Sequence, residues 1–462
     1  MESLVIPPHE IAFHPTSFCD RDGRVFRWQG ELYRGITRDK ANFYRQMFAD
    51  GIICQLVEKG FLVETELTDL KLEGYAMVLK HRLIPFVSYA NEWCSEMLKD
   101  AALFITDMML ALAERDLTLG DVSTWDMLFD YCRPVFVDFC SISDADRDGN
   151  RTWSFFKDNF YSYFIYPLRL MARGHGNLAR HLLADYEHNT IHPEFAALMG
   201  YPSLYNPPNH PLKRGKIFGK KVLVKLGLIR ELEGYELVKH LRREVLRIQL
   251  PKGSTDREID LEPNPLLPPS GAWTPKQRIV RRVLTDLHPS TVLDIGCHRG
   301  WYALLAASLG SRVVAVDRND RHVAQCYGAA RDKALPILPL VVDIRYPSPG
   351  QGVCNQVLTP ALQRLPCEMV LALGIVDVLV FEQHLNFEQI CETLAAFSKS
   401  WLLVEFCSPA DSIAPQQKLN CPSWYTLQSF ADCLRKQFRH VNEVHSHLQS
   451  DRTSDRILLC RK

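Results

Sequence analysis

Val292-Leu293-Asp294-Ile295-Gly296-Cys297-His298-Arg299-Gly300 is the stretch that decides how this chain reads. Ser290 to Ile295 forms an apolar run of strand length, and Tyr302 to Leu309 forms an apolar run of helical length behind the turn. A buried strand, a glycine-spaced turn and a helix opening directly after it make the first crossover of a nucleotide-binding α/β sheet. Glycine suits the turn because the backbone can curl and approach a ligand with no Cβ in the way.

Outward from this stretch, strand and helix alternate. Pro275 to His288 reads as a helix with Ile279, Val280, Val283 and Leu284 inward. Strands are expected at Arg312 to Asp317, Ile337 to Asp343, Met369 to Leu373 and Trp401 to Phe406, with helices from Arg321 to Ala334 and Phe387 to Ser398 between them. Such alternation predicts an α/β fold with a parallel, doubly wound sheet whose ligand lies at the carboxyl ends of the strands. Three of those ends carry an acid, Asp317, Asp343 and Glu405, and Asp294 adds a fourth just inside the first turn. The glycine spacing is GxxxG, not the GxGxxG of a dinucleotide site.

With an acid two residues before the first glycine, the turn resembles the first motif, (D/E)xGxxxG, of the class I S-adenosylmethionine-dependent methyltransferases. The resemblance implies a Rossmann-like, seven-stranded sheet and S-adenosylmethionine as cofactor. Gly296, Cys297 and Gly300 would line the turn, and Asp294 would hold the cofactor's amino-acid end. Asp317 would accept both ribose hydroxyls, a bidentate role a carboxylate fills well. Asp343 would accept from the adenine amino group, with Arg318 and Ile344 as walls for the ring.

A closer resemblance covers most of the chain. Ile84-Pro85-Phe86 with Glu92-Trp93, Arg133-Pro134-Val135-Phe136-Val137-Asp138, Asp343-Ile344-Arg345-Tyr346-Pro347-Ser348-Pro349, Leu371-Ala372-Leu373 and Leu403-Val404-Glu405-Phe406 resemble a bacterial family of two-part methyltransferases. That family includes a host-specific nodulation protein and joins a kinase-like N-terminal region to the methyltransferase. The end of the chain is similar too: Trp424-Tyr425-Thr426-Leu427 would open a helix to Phe438, and Val441 with Arg456 to Cys460 would form the terminal hairpin. Many members carry a histidine pair after the fourth strand, where Ile375-Val376-Asp377-Val378-Leu379-Val380 stands here. Catalytic candidates near the methyl group are therefore Glu405, Asp377 and His384, with Glu405 preferred as the substrate-facing acid.

At 462 residues the chain is long enough for two to four domains. Its 54 basic and 54 acidic residues give no global pull toward nucleic acid or a membrane surface. The 14 cysteines are scattered without a CxxC pair, which points to a reducing cytoplasm and away from a zinc ribbon. No metal site is expected. The N-terminus lacks the pattern of a signal peptide, and the apolar runs Ala101 to Ala113 and Met369 to Phe381 are too short to span a bilayer.

In the first two hundred residues, Gly23 to Arg34 alternates around Gln29-Gly30 as a hairpin does, Lys40 to Asp50 has helical periodicity, and Glu92 to Glu114 reads as a long amphipathic helix. Leu119-Gly120-Asp121 through Asp126 to Asp138 resembles the catalytic segment of kinase-like phosphotransferases. There Asp121 falls on the base position, and Asp126 and Asp138 fall on metal-binding positions. Leu119 replaces the loop histidine, Asp126 the asparagine, and Cys140 the glycine after the metal-binding Asp-Phe. The expectation is a degenerate, kinase-like α+β domain over residues 1–205.

Trp153 to Arg173 is rich in aromatic residues of the kind found in cores and domain interfaces, and His188 with His192 reads as ordinary surface or capping histidines. Residues 206–270 read as a basic linker or helical segment, with eleven Lys or Arg against four Glu between 211 and 250. By the same resemblance, residues 271–462 are expected to form the methyltransferase. The expected activity is methyl transfer to oxygen or nitrogen of a small molecule or glycan, the oligomeric state being left open. Two other readings stay open: a cofactor-binding regulator or scaffold with a pseudokinase module, and an active phosphotransferase in the N-terminal half.

Overall fold

The computed structural model describes residues 4–18, 20–145, 150–184, 232–251, 273–408, 421–445 and 456–462. The chain divides into two compact units, Met1–Phe129 with Pro134–Ser254, and Asp130–Arg133 with Thr255–Lys462. No described helix is long and apolar enough to cross a membrane.

The first unit opens on a five-stranded sheet in the order β1-β2-β3-β5-β4. Its strands are β1 (Ala12–Phe13), β2 (Gly23–Trp28), β3 (Glu31–Ile36), β4 (Thr65–Leu67) and β5 (Met77–His81). The hairpin expected around Gln29-Gly30 joins β2 to β3, and both turn residues take positive φ, 50° and 82°. Two left-handed residues in succession match the twist of the flanking strands. Phe26, Trp28, Tyr33 and Val78 pack with Ile6 and Leu72 on one face of this sheet.

Helices Arg38–Ala49 and Ile52–Glu58 follow β3, and helix Ser95–Ala113 buries Met97, Leu98, Ala101, Ala102, Ile105, Met108, Met109 and Leu112 along one stripe. Short strands β6 (Leu117–Leu119) and β9 (Ile142–Asp144) pair antiparallel, as do β7 (Met127–Asp130) and β8 (Arg133–Phe136) in a hairpin.

Part of the segment read as a basic linker is ordered into the first unit. Helix Gly234–Arg247 buries Leu237, Val238, Leu241 and Val245 and packs against Ser95–Ala113. The Arg242 Nε donates to Asp107 Oδ1 at 2.6 Å, and Lys99 Nζ donates to the Ile248 carbonyl at 2.8 Å just past the helix end. A cation on those last carbonyls complements the negative end of the helix dipole. Residues 185–231 and 252–272, with His188 and His192, lie outside the described residues.

The second unit is a seven-stranded sheet in the order β12-β11-β10-β13-β14-β16-β15. The strands are β10 (Thr291–Ile295), β11 (Arg312–Asp317), β12 (Ile337–Val341), β13 (Cys367–Ala372), β14 (Ser398–Phe406), β15 (His440–Val444) and β16 (Arg456–Arg461). The first five run parallel, and β16 pairs antiparallel with both β14 and β15. Parallel strands covered on both faces read as nearly unbroken apolar runs. Asp294 is the one ionisable residue inside β10 and is only 2% exposed. Pro339 sits inside β12, which tolerates a missing N–H because it is the sheet's edge. From β10 the chain winds outward to β11 and β12, then returns to β13 on the other side of β10. That reversal opens a crevice at the carboxyl ends of β10 and β13, where doubly wound sheets bind their ligands.

Candidate functional site

The crevice is built from the turn upward. Gly296 and Gly300 both take left-handed backbone, φ 71° and 85°. The Gly296 and Cys297 amides donate to the Val316 carbonyl at 2.9 and 3.1 Å, tying the turn to the end of β11. The Gly300 amide donates to the Cys297 carbonyl at 2.8 Å, and Gly300 then serves as N-cap of helix Trp301–Ser308. The glycines are needed by the fold itself: a Cβ on Gly296 would stand 2.8 Å from Ile375 Cδ1, and one on Gly300 would run into Cys326. Cys297 is buried, and its thiol is held protonated by a hydrogen bond with Cys326 and by burial.

Asp317 stands at the tip of β11, where its Oδ2 accepts from the His298 amide at 3.0 Å and its Oδ1 from the Asn319 amide at 2.8 Å. His322 Nδ1 lies 3.7 Å from Oδ1, and the centroids of the His298 and His322 rings lie 3.8 Å apart with the rings tilted by 49°. Burial alone would raise this carboxyl. The His322 ring and the Asn319 and His298 amides outweigh it and hold Asp317 below the ordinary carboxylate value.

Asp294 is the opposite case. Burial drives its pKa up to about 7, against the Ala303 amide, with the Asp317 charge adding to the rise and Lys276 opposing it. Its Oδ2 has no hydrogen-bond partner among the described residues. A buried carboxyl with an unpaired oxygen costs stability unless it stays protonated or meets a donor.

The folded chain therefore binds a proton at Asp294 that the unfolded chain, with its value of 3.8, has lost. Stability of the ligand-free protein falls as pH rises from about 4 to about 7, by at most roughly 1.4 kcal/mol per unit, and levels off above. Urea unfolding at pH 5 and pH 7.5 checks this. The wild type should lose about 2 kcal/mol more than Asp294→Asn over that interval, and equal losses would contradict the assignment.

The remaining expected residues are placed as follows. Asp343, just past β12, accepts from Arg345 through the backbone amide at 3.0 Å and through the guanidinium, Nε to Oδ1 at 3.0 Å and Nη2 to Oδ2 at 2.5 Å. Both of its oxygens thus accept from Arg345. Burial raises its pKa, but Arg345, with a smaller contribution from Arg318, brings it below the ordinary value. Arg318 is exposed and pairs with Glu382 at 3.5 Å. The Ile344 side chain lines a small apolar space with Leu293, Ile295, Val316, Val342, Leu365 and Phe397. Asp377 precedes a π-helical turn, Val378–Glu382, which the apolar run after β13 forms, and exposed His384 closes it with φ 60°.

Glu405, on β14, is 2% exposed and forms an ion pair with Lys276. Reading from the sequence passed over Lys276, which is a lysine on an otherwise ordinary amphipathic helix. What places it is the start of helix Pro275–Leu287: Thr274 Oγ1 accepts from the Gln277 amide at 3.2 Å, and Gln277 Oε1 accepts from the Thr274 amide at 2.8 Å. That reciprocal cap, with Pro275 at the first position, fixes the entry and aims Lys276 at the strand ends.

In the first unit, the three acids of the kinase-like segment are each engaged locally. Asp126 Oδ2 accepts from the Ser123 amide at 2.7 Å and hydroxyl at 2.8 Å, closing a capping box. Asp121 Oδ1 accepts from Asn159 Nδ2 at 2.9 Å. Asp138 faces Arg34, a buried residue of β3 that reaches Asp20 at 2.8 Å and Asp138 at 3.4 Å. Arg34 was also missed, although a charge between Leu32-Tyr33 and Gly35-Ile36 is the kind of interruption that marks a buried pair. Among the described residues no group of three His, Cys, Asp or Glu is placed to hold a metal ion, and every described cysteine is a free thiol.

No protein-family model matches the chain. It is 25% identical to the nodulation protein NoeA of Rhizobium meliloti (strain 1021) over 448 residues, 92% of each chain. Among solved structures it is similar to the bifunctional kinase-methyltransferase WbdD, 15% identical over 40% of this chain and 38% of that one, with a TM-score of 0.29. Magnesium protoporphyrin IX methyltransferase of Synechocystis PCC 6803 with bound SAM is 15% identical, over 41% of this chain and 80% of that one, with a TM-score of 0.27. TehB of Haemophilus influenzae is 18% identical over 40% of this chain and 61% of that one, with a TM-score of 0.28.

Proposed function

We propose that the second unit binds S-adenosylmethionine in the crevice between β10 and β13 and transfers its methyl group to an oxygen or nitrogen of a small molecule or glycan. The observation that carries this reading is Asp294, whose buried Oδ2 lacks a hydrogen-bond partner among the described residues, at the switch point, beside a left-handed glycine turn. A ligand bringing an ammonium to that oxygen would satisfy it. Asp317, held ionised at the neighbouring strand tip, suits a pair of hydroxyl donors such as those of a ribose. The residues present thus fit the cofactor's two polar ends.

Bound there, the cofactor supplies an electrophilic methyl group. The chain's part is to hold donor and acceptor in line, which can provide most of the acceleration. Glu405 is sealed in with Lys276, so where the acceptor must lose a proton that task falls to Asp377 or His384 around the turn after β13. The formal net charge of zero supports a small acceptor over nucleic acid, and free thiols throughout the described residues support a cytoplasmic setting. Incubation with S-adenosylmethionine labelled on the methyl group and fractionated small-molecule and glycan extracts tests the reading. Label should pass to a small acceptor, and retention of all label in the cofactor would contradict it.

We read the first unit as a kinase-like module that has lost phosphotransfer. Arg34, shared with the nearer Asp20, pairs with Asp138, and one oxygen of Asp126 is engaged in its own capping box. Similarity to the rhizobial nodulation protein over 92% of both chains supports the two units acting as one protein. Titrating ATP with magnesium into the full chain should give no binding, and a dissociation constant below about 1 mM, equivalent to roughly 4 kcal/mol of binding, would overturn the reading.

A further inference from the structure

The crevice holds one charge that neither the glycine turn nor the strand-end acids explain. Lys276 Nζ pairs with buried Glu405 and lies 5.7 Å from the centroid of the Tyr302 ring. A Cβ built on Gly374, the left-handed residue just beyond β13, would stand 3.6 Å from both Lys276 Nζ and Glu405 Oε2. Lys276 also acts electrostatically on Asp294. One ammonium, 28% exposed, thus sits among two buried carboxyl groups and an aromatic face at the ends of β10, β13 and β14. Acids and aromatic faces are the surroundings that stabilise a cation.

We propose that Lys276 is the built-in counter-cation of the methyl-donor subsite and sets how strongly the crevice prefers a cationic sulfonium donor over its neutral thioether product. This inference rests on the cofactor reading above. With Lys276 in place, Glu405 is neutralised from within the chain, and the field acting on a positively charged sulfur is reduced. Without it, the same carboxylates favour the sulfonium over the thioether, which differ by one unit of charge at that atom. The lysine therefore moderates donor binding and limits the penalty for carrying the uncharged product.

The test is calorimetric titration of S-adenosylmethionine and S-adenosylhomocysteine into the full-length protein. The variants are Lys276→Met, which keeps side-chain length and removes the charge, and Lys276→Arg, which keeps the charge. Lys276→Met should shift the ratio of the two dissociation constants about tenfold toward S-adenosylmethionine, a size ordinary for one nearby charge in a partly screened site. Lys276→Arg should retain the wild-type ratio. A ratio within twofold of wild type in Lys276→Met overturns the proposal, because a purely structural ion pair would weaken both ligands alike. If circular dichroism shows that Lys276→Met does not fold, Glu405→Gln decides. It should move the ratio about tenfold toward the thioether, and an unmoved ratio overturns the proposal. A wild type that binds neither ligand defeats the cofactor reading and this inference with it, whereas binding of both with an insensitive ratio defeats this inference alone.

Discussion

Asp317→Ala lowers the affinity of the full-length protein for S-adenosylmethionine by about a hundredfold and leaves the sheet folded. The size follows from removing a charged acceptor able to take two hydroxyl hydrogen bonds, each contributing about 1.5 kcal/mol or more when one partner is ionised. Asp317 is prepared for that role before any ligand arrives. The His298 and Asn319 amides fix both oxygens, and together with His322 they keep the group ionised despite its burial. Those amides lie near solvent, so their loss of an acceptor is met by water and the backbone of β11 is untouched. Asp317→Asn, which keeps shape and one acceptor, should fall between the two. Calorimetry measures the effect, and a loss smaller than about threefold, less than 1 kcal/mol, would remove Asp317 from the site.

Gly300→Ala destabilises the second unit by about 2–5 kcal/mol. Two separate costs add: an alanine held at left-handed φ costs about 1–2 kcal/mol, and a methyl forced into a filled space about 1–3 kcal/mol. Gly300 is at φ 85°, and its missing Cβ would meet the side chain of Cys326, which is fully buried on helix Asp320–Asp332. Because only the second cost depends on Cys326, the double variant Gly300→Ala with Cys326→Ala, compared with Cys326→Ala alone, should regain most of the packing part, since the Sγ clash goes and only a 3.0 Å approach to the Cβ stays, and keep the backbone part. Urea unfolding followed by tryptophan fluorescence reads both. Full recovery in the double variant would show that the left-handed turn carries no strain, and no recovery would show that the two residues do not meet.

Much of the second unit was legible in the sequence because its signals are local. Apolar runs of strand length ending in Asp317, and a GxxxG turn leading into an apolar helix, declare the order of elements whatever they pack against. Strand β11 begins and ends where it was expected, at Arg312 and Asp317, while β14 begins three residues earlier, at Ser398. The Gln29-Gly30 hairpin was readable for the same reason, since positive φ at two successive residues is a property of the turn alone.

What escaped reading depends on partners distant in sequence. Lys276 meets Glu405 across 129 positions, and Arg34 meets Asp138 across 104. Neither pairing leaves a mark in local periodicity. Residues 206–270 were read as a basic linker or helical segment, and the charges Lys239, Arg242, Arg243 and Arg247 of helix Gly234–Arg247 suggested a solvated face, while the buried stripe Leu237, Val238, Leu241 and Val245 is what holds it on Ser95–Ala113. Asp343, expected to accept from an adenine amino group, also accepts through both oxygens from Arg345, two residues on. Such an i,i+2 contact across a tight bend is visible only once the backbone path is known.

Asp294 carries a buried oxygen without a hydrogen-bond partner among the described residues, a feature the cofactor reading explains and the apolar strand around it does not. The most direct test is therefore calorimetric titration of S-adenosylmethionine into the wild-type protein at pH 7.5. Saturable binding of one equivalent per chain, with proton release that disappears in Asp294→Asn, is the result expected of a carboxyl near pKa 7 meeting an ammonium. An absence of binding at millimolar cofactor would contradict the assignment of this crevice.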